Sequence, residues 1–192
     1  MFQESSPLHR GLTILNASTK WTVSSAVLAT LLWKRDESVS WCVVGSILNA
    51  FNCKVLKKLI SAPRPDGALK VDPGMPSSHG CSLGFLSTYT ALDQFHLAGP
   101  AVSWSLGLGG IFLSSLRVVL GFHTAAQVAV GHAIGCASAY AWRIWGEATV
   151  LPLVRENSGY RITLYIVTAV AFAAFAFRVL RDVVTQRRVK KK

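Results

Sequence analysis

The strongest constraint on this chain is a succession of apolar runs near membrane length, separated by short polar loops. A helix needs about 20 apolar residues to cross the hydrocarbon core of a bilayer, and Trp residues tend to mark where such spans end. Spans are therefore expected at Val39 to Ile60, Ser78 to Leu92, Val102 to Val119, His123 to Trp145 and Ile162 to Leu180. A further one lies around Trp21 to Trp33, and it reaches full length only if Leu12 to Ala17 extend it past Lys20. Trp104, Trp142 and Trp145 fall near span ends. The Ser78 to Leu92 run is short and rich in Ser and Thr, which a helix beginning inside a protein-lined polar cavity tolerates. The expected fold is all-α: an integral-membrane helical bundle with about six transmembrane helices. One domain is expected over residues 1–192, with an amino-terminal segment at 1–17 and a basic tail at 183–192.

Composition points the same way. Charged residues make up 15% of the chain, against about 25% in soluble domains, and the mean hydropathy is +0.39. The formal net charge is +11, and the basic residues gather at segment ends and in Arg187-Arg188-Val189-Lys190-Lys191-Lys192. Such a tail is either a solvated end that fixes topology or a contact with anionic lipid. Nucleic acid is not an expected partner, because the basic residues alternate with apolar spans and form no recognition helix. Cys42, Cys53, Cys81 and Cys136 are widely spaced in apolar stretches, as small core or lipid-facing residues would be. Met1 to Thr19 has neither the apolar region nor the cleavage site of a secretory signal, and no long plastid transit peptide is expected. The spacing Gly131-x-x-x-Gly135 would serve helix packing within the chain or a homo-oligomer interface.

Three polar islands interrupt the apolar pattern where ionisable groups are costly and usually functional. The first is Lys57-Lys-Leu-Ile-Ser-Ala-Pro-Arg64-Pro65, at the end of the second span. The second is Gly74-Met-Pro-Ser-Ser-His79-Gly80, at the start of the third. The third runs from Arg117 at the end of the fourth span to His123 and Gln127 at the start of the fifth. Two bilayer crossings separate the loop before the third span from the loop before the fifth, so both loops face the same side.

Lys57-x6-Arg64-Pro65, Pro76-Ser77-Ser78-His79 and Arg117-x5-His123 resemble, in order, the three signature motifs of the type-2 phosphatidic acid phosphatase superfamily, which includes the vanadium haloperoxidases. From about Ser18 to Gly135 the resemblance is closer. Leu-Trp-Lys-Arg-Asp at 32–36, Asp72-Pro-Gly-Met-Pro-Ser-Ser-His79 and Leu116-Arg117 through His123-Thr124-x-x-Gln127 look like the plastid, epsilon-type lipid phosphate phosphatases of plants. Dolichyl-diphosphatases share some of these features. The resemblance implies a phosphatase and haloperoxidase-like helical core. It also implies a membrane lipid phosphate as substrate and the chloroplast envelope as location, with the endoplasmic reticulum as the alternative.

It further implies that His123 attacks phosphorus and forms a phosphohistidine, while His79 protonates the leaving oxygen and later activates water. Imidazole suits both roles because it titrates near neutrality. The charge that spreads over phosphoryl oxygens in the transition state calls for fixed donors. Lys57, Arg64 and Arg117 supply them, and backbone N–H groups at Ser78 to Gly80, where a helix begins, would add more. Lys58 reads as a headgroup-snorkelling lysine. His132 lies about 180° around the helix from His123 and reads as packing. Gln127 stands where the superfamily usually has Asp. It would accept a hydrogen bond from the His123 ring through its amide oxygen, without supplying a charge.

No metal or other cofactor is expected, because Glu4, Asp36, Glu37, Asp66, Asp72, Asp93, Glu147, Glu156 and Asp182 form no His and carboxylate ligand cluster. Asp72 reads either as a partner for a basic residue of the active loop or as an ordinary turn residue before Pro73-Gly74. The expected activity is Mg2+-independent hydrolysis of phosphatidate. A polyprenyl or dolichyl diphosphatase would use the same residues, and a non-catalytic membrane protein or small transporter is the alternative of another class. Lys and Arg residues are in excess around the loops that carry the motifs, which predicts a cytosolic or stromal catalytic face.

Overall fold

The structure is a computed structural model that describes residues 6–68 and 72–189. Glu4, Lys70 and Lys190 to Lys192 lie outside the described residues. Helix α1 spans Pro7–Lys34, α2 Glu37–Ile60, α3 Ser78–Leu97, α4 Pro100–Val119 and α5 Ala125–Trp145. A π-helical turn at Gly146–Val150 carries α5 into the short α6, Leu151–Glu156, and α7 runs over Ser158–Val189. At 1.5 Å per residue, even the 20-residue α3 and α4 reach about 30 Å. No strand occurs among the described residues.

The chain begins and ends these helices with local devices. Ser6 caps α1 by accepting the His9 N–H at 3.2 Å, with Pro7 in the first turn. Lys20 does not break α1, which runs through it to Lys34. Arg35 in the left-handed conformation ends α1, and Asp36 caps α2. Gly99, with φ 87°, turns the chain from α3 into α4, where Pro100 opens the helix.

Among the described residues, three segments are long and apolar enough to cross a membrane: Glu37–Ile60, Pro100–Val119 and Ser158–Arg178. Helices α1, α3 and α5 have the length but carry more polar residues. Some of these polar residues, Asn16 and Thr19 of α1 and Gln127 of α5, are buried in the bundle. Helix α3 is the central one, packed on α2, α4 and α5.

The α3 and α5 backbones meet where both are nearly bare. A Cβ on Gly131 would come within 2.6 Å of the Ser77 carbonyl oxygen, and one on Gly135 would run into that of Cys81. The Gly131-x-x-x-Gly135 pair therefore serves packing within the chain. His132 is on this helix too, bonded through Nδ1 to Ser114 of α4 at 3.1 Å, a packing role as expected.

Two sequence expectations need correction. His123 is outside α5: Thr124, in extended conformation, is the cap, and the helix starts at Ala125. Trp142 is near a helix end but marks no lipid interface. It stacks on Trp41 of α2 at 4.1 Å, and each indole N–H donates to the other's carbonyl, at 3.2 and 2.9 Å. The pair belongs to a core with Cys42, Phe85, Tyr89, Leu151 and Leu164. Trp33, Trp104 and Trp145 remain largely exposed. All four cysteines are free.

At the end of the bundle away from the motifs, four basic residues are paired with carboxylates. Asp93 pairs with Arg143 at 3.0 Å and Lys34 at 3.8 Å, Glu147 with Arg155 at 3.3 Å, and Glu37 with Arg161 at 3.9 Å.

Candidate active site

The end of α2, the loop before α3 and the loop before α5 converge on Arg64. Its Nη1 donates to the Phe122 carbonyl at 2.9 Å and meets His123 Nε2 at 3.0 Å. Its Nε donates to the Asp72 carbonyl at 2.9 Å, and Nη2 to both Asp72 carboxylate oxygens at 2.9 and 3.0 Å. Lys57, in the last turn of α2, reaches the same carboxylate at 2.7 Å. Of the two sequence readings of Asp72, the structure gives the first: it holds two basic residues of the active loop.

Arginine stays protonated and can only donate. His123 Nε2 is therefore the acceptor, and the ring proton sits on Nδ1. Gln127 Oε1, 3.1 Å from Nδ1, accepts that proton's hydrogen bond. The same oxygen accepts the Thr124 N–H at 3.2 Å, while Gln127 Nε2 donates to the Pro63 carbonyl at 2.6 Å. Both ends of the amide are thus assigned by partners of fixed polarity. The geometry that joins Gln127 to His123 is a capping box with Thr124, since Gln127 N–H also bonds Thr124 Oγ1 at 3.2 Å. His123 and Gln127 are thus not one turn apart on a single helix, since α5 begins at Ala125. Gly74 is pressed against this amide, and a Cβ there would lie 2.8 Å from Oε1.

His123 is 3% exposed and Gln127 5%. Burial, then the charge of Arg64, lower the His123 imidazole to about 4, and the bond to Gln127 opposes them. Burial alone would raise the Asp72 carboxyl, but hydrogen bonds from Lys57 and Arg64, and their charges, hold it at about 2.

Arg117 joins the site from the end of α4. Its carbonyl accepts the N–H groups of Phe122 and His123 at 3.0 and 3.1 Å, which folds the loop back over the helix end. Its guanidinium lies 4.2 Å above the Phe122 ring and reaches Asn16 of α1 at 3.5 Å. Its buried Nε has no hydrogen-bond partner among the described residues.

Ser78, His79 and Gly80 form the first turn of α3. The Ser77 N–H donates to the Gln127 carbonyl at 3.0 Å, which fixes this turn beside the start of α5. Two of these residues have partners the sequence did not suggest. The Gly80 N–H is taken by Ser77 Oγ at 3.3 Å, and Ser78 Oγ lies 3.6 Å from Cys53 Sγ. A phosphate would have to displace the Ser77 cap to use the Gly80 N–H. His79 is half-buried at the second position of the helix.

The structure adds Asn16, Pro63, Phe122 and Thr124 to the site. Thr124-x-x-Gln127 has the form of a capping box, a signal readable from sequence. Nothing in the sequence marks Asn16 or the Pro63 carbonyl. An open depression of about 410 Å³ lies against Arg64 and Asp72, bounded by the 61–68 loop. Among the described residues, no group of three or more His, Cys, Asp or Glu could hold a metal ion.

No family model and no solved structure matches the chain. Curated proteins do. Lipid phosphate phosphatase epsilon 2, chloroplastic, of Arabidopsis thaliana is 33% identical over 173 residues, covering 87% of this chain and 60% of that protein. Lipid phosphate phosphatase epsilon 1, chloroplastic, of the same plant is 32% identical over 169 residues, or 85% and 60%. Dolichyldiphosphatase 1 of Homo sapiens is 32% identical over 150 residues, or 69% and 63%. The chain thus spans about 60% of the length of the plant relatives it matches. It is a homologue of the plant chloroplastic lipid phosphate phosphatases epsilon and of the dolichyldiphosphatases, both members of the type-2 phosphatidic acid phosphatase superfamily.

Proposed function

We propose that this protein is a Mg2+-independent lipid phosphate phosphatase that hydrolyses phosphatidate to diacylglycerol and inorganic phosphate through a phosphohistidine. The observation that carries the reading is the state of His123. Its Nδ1–H is held by Gln127, and its Nε2 lone pair is directed at Arg64, beside Lys57.

In the first step, a substrate phosphoryl oxygen replaces His123 Nε2 as the acceptor for Arg64. The freed lone pair attacks phosphorus, forming the N–P bond as the P–O bond to the lipid breaks. His79 gives its proton to the departing oxygen, releasing diacylglycerol. In the second step, His79 takes a proton from water, whose oxygen attacks phosphorus. The N–P bond then breaks, its electron pair returns to Nε2, and phosphate leaves. Lys57, Arg64 and Arg117 stabilise the equatorial oxygens in both steps, and three cations beside one phosphoryl group make a divalent metal unnecessary. Gln127 keeps the ring in the nucleophilic tautomer, a task that an Asp performs elsewhere with a charge.

The names of the plant relatives support a chloroplast membrane as the location, with the endoplasmic reticulum as the alternative. Similarity to the dolichyldiphosphatases also supports a second reading, hydrolysis of a polyprenyl diphosphate by the same residues. Phosphate release from phosphatidate and from dolichyl diphosphate, each in detergent with EDTA, separates the two. The first reading requires turnover of phosphatidate in EDTA. Loss of that turnover with recovery on adding Mg2+ would refute it, and turnover of dolichyl diphosphate alone would select the second.

A further inference from the structure

We propose that Asp72 is the anion that the resting site holds in place of substrate, and that its displacement sets the affinity for a phosphate group. The proposal rests on the reading of Lys57 and Arg64 as phosphate-binding residues.

A guanidinium has five N–H donors, and in Arg64 all five are spent. One goes to the Asp72 carbonyl, two to its carboxylate, one to Phe122 and one to His123. Lys57 gives its 2.7 Å bond to the same carboxylate. A phosphate can therefore bind Arg64 only by exchange, and to bridge Arg64 and Lys57 it must compete with the carboxylate that now bridges them.

The carboxylate is suited to the place it occupies. Like phosphate, it offers oxygens in the fork geometry that a guanidinium binds in pairs. It also covers the cations from the open side: the Asp72 side chain is 51% exposed, while those of Lys57 and Arg64 are 10% and 6% exposed. The open depression beside Arg64 borders Asp72 as well, so a headgroup arriving there meets the carboxylate before the cations. The Gly74 N–H bond to the Ala62 carbonyl, 2.7 Å, pins the loop just after Asp72. Side-chain rotation of Asp72 can therefore expose the cations while that tie stays in place.

Inorganic phosphate as a competitive inhibitor of phosphatidate hydrolysis supplies the test, with Asp72→Asn and Asp72→Ser compared with the wild type in detergent. Removing the internal competitor should lower the phosphate inhibition constant roughly tenfold. KM for phosphatidate should fall in parallel, with kcat changing much less. An inhibition constant that is unchanged or raised in both variants overturns the proposal and makes Asp72 a clamp that positions the cations. The same conclusion follows if neither variant folds. Direct calorimetric titration of inorganic phosphate into the wild type and Arg64→Ala, a variant expected to lose turnover, separates this failure from failure of the parent reading. If phosphate binds the wild type but not Arg64→Ala, the phosphate site stands, whatever Asp72 does. If phosphate binds neither, both ideas fall.

Discussion

Arg64 Nη1 and His123 Nε2 lie 3.0 Å apart with the guanidinium as donor, so the imidazole nitrogen that faces the site carries a lone pair and not a proton. The opposite ring nitrogen is 3.1 Å from Gln127 Oε1. Histidine tautomer, glutamine orientation and helix cap form one linked arrangement.

That linkage predicts the cost of losing Gln127. In Gln127→Leu nothing holds the Nδ1 proton, and the Thr124 N–H and Pro63 carbonyl lose their partner. We expect kcat to fall by roughly 10²-fold or more and stability to drop by about 1–3 kcal/mol from the unsatisfied groups. Steady-state kinetics and thermal unfolding in detergent measure both. Near-normal kcat in a folded Gln127→Leu protein would show that the tautomer needs no such support.

The titration of His123 follows from its surroundings. Its folded value of about 4 is below the ordinary histidine value, so lowering the pH from 8 to 5 should leave the ring neutral and the nucleophile competent. A neighbouring carboxylate favours the charged ring, so Gln127→Glu should raise the midpoint. NMR of ¹⁵N-histidine-labelled protein reads both. A wild-type midpoint near 6.5, or no rise in the variant, would contradict this account of the site.

Helix α3 meets α5 without room for side chains at Gly131 and Gly135. Gly135→Ala should destabilise the fold by about 1–3 kcal/mol, the usual cost of overpacking. Gly107 of α4, which has nothing within 4 Å of an added Cβ, should accept Ala without loss. Unfolding in detergent compares the two, and equal effects would mean that the close α3–α5 approach does not contribute to stability.

Much of this site was legible because motif residues of a membrane protein stand out against apolar spans. Lys57, Arg64 and His123 each appear where ionisable groups are rare, and counting crossings put their loops on one side, as the Arg64–His123 contact requires. Helix starts were less legible. His123 follows an apolar stretch and reads as span, but the extended Thr124 places it in the preceding turn. Trp142 misleads for a related reason: an indole near a helix end reads as an interface marker, and only the tertiary partner Trp41 makes it core. Asn16 and the Pro63 carbonyl act through contacts with residues far away in the chain, which no local pattern encodes.

Orientation in the membrane follows from charge. The end away from the motifs carries Lys34, Arg35, Arg143, Arg155 and Arg161. On the catalytic end, Arg10, Lys20, Lys54 and Lys58 add to the cations of the site. The positive-inside rule then turns the catalytic end to the cytosol or the stroma. In a background lacking Cys42, Cys53, Cys81 and Cys136, thiols introduced by Asp66→Cys and Asn157→Cys report the two ends in sealed vesicles of known orientation. An impermeant reagent on the lumenal or intermembrane side should label position 157 and spare position 66, and the reverse pattern would invert the topology.

The central claim is that His123 becomes covalently phosphorylated. Mixing the protein with phosphatidate, quenching in alkali to preserve a phosphoramidate and locating the phosphoryl group by peptide mass spectrometry tests it directly. The account predicts a phosphoryl group on the His123 peptide during turnover and none in His123→Ala, whose hydrolysis rate should fall by several orders of magnitude. Continued turnover by a folded His123→Ala protein, or a phosphoryl group on another residue, would contradict it.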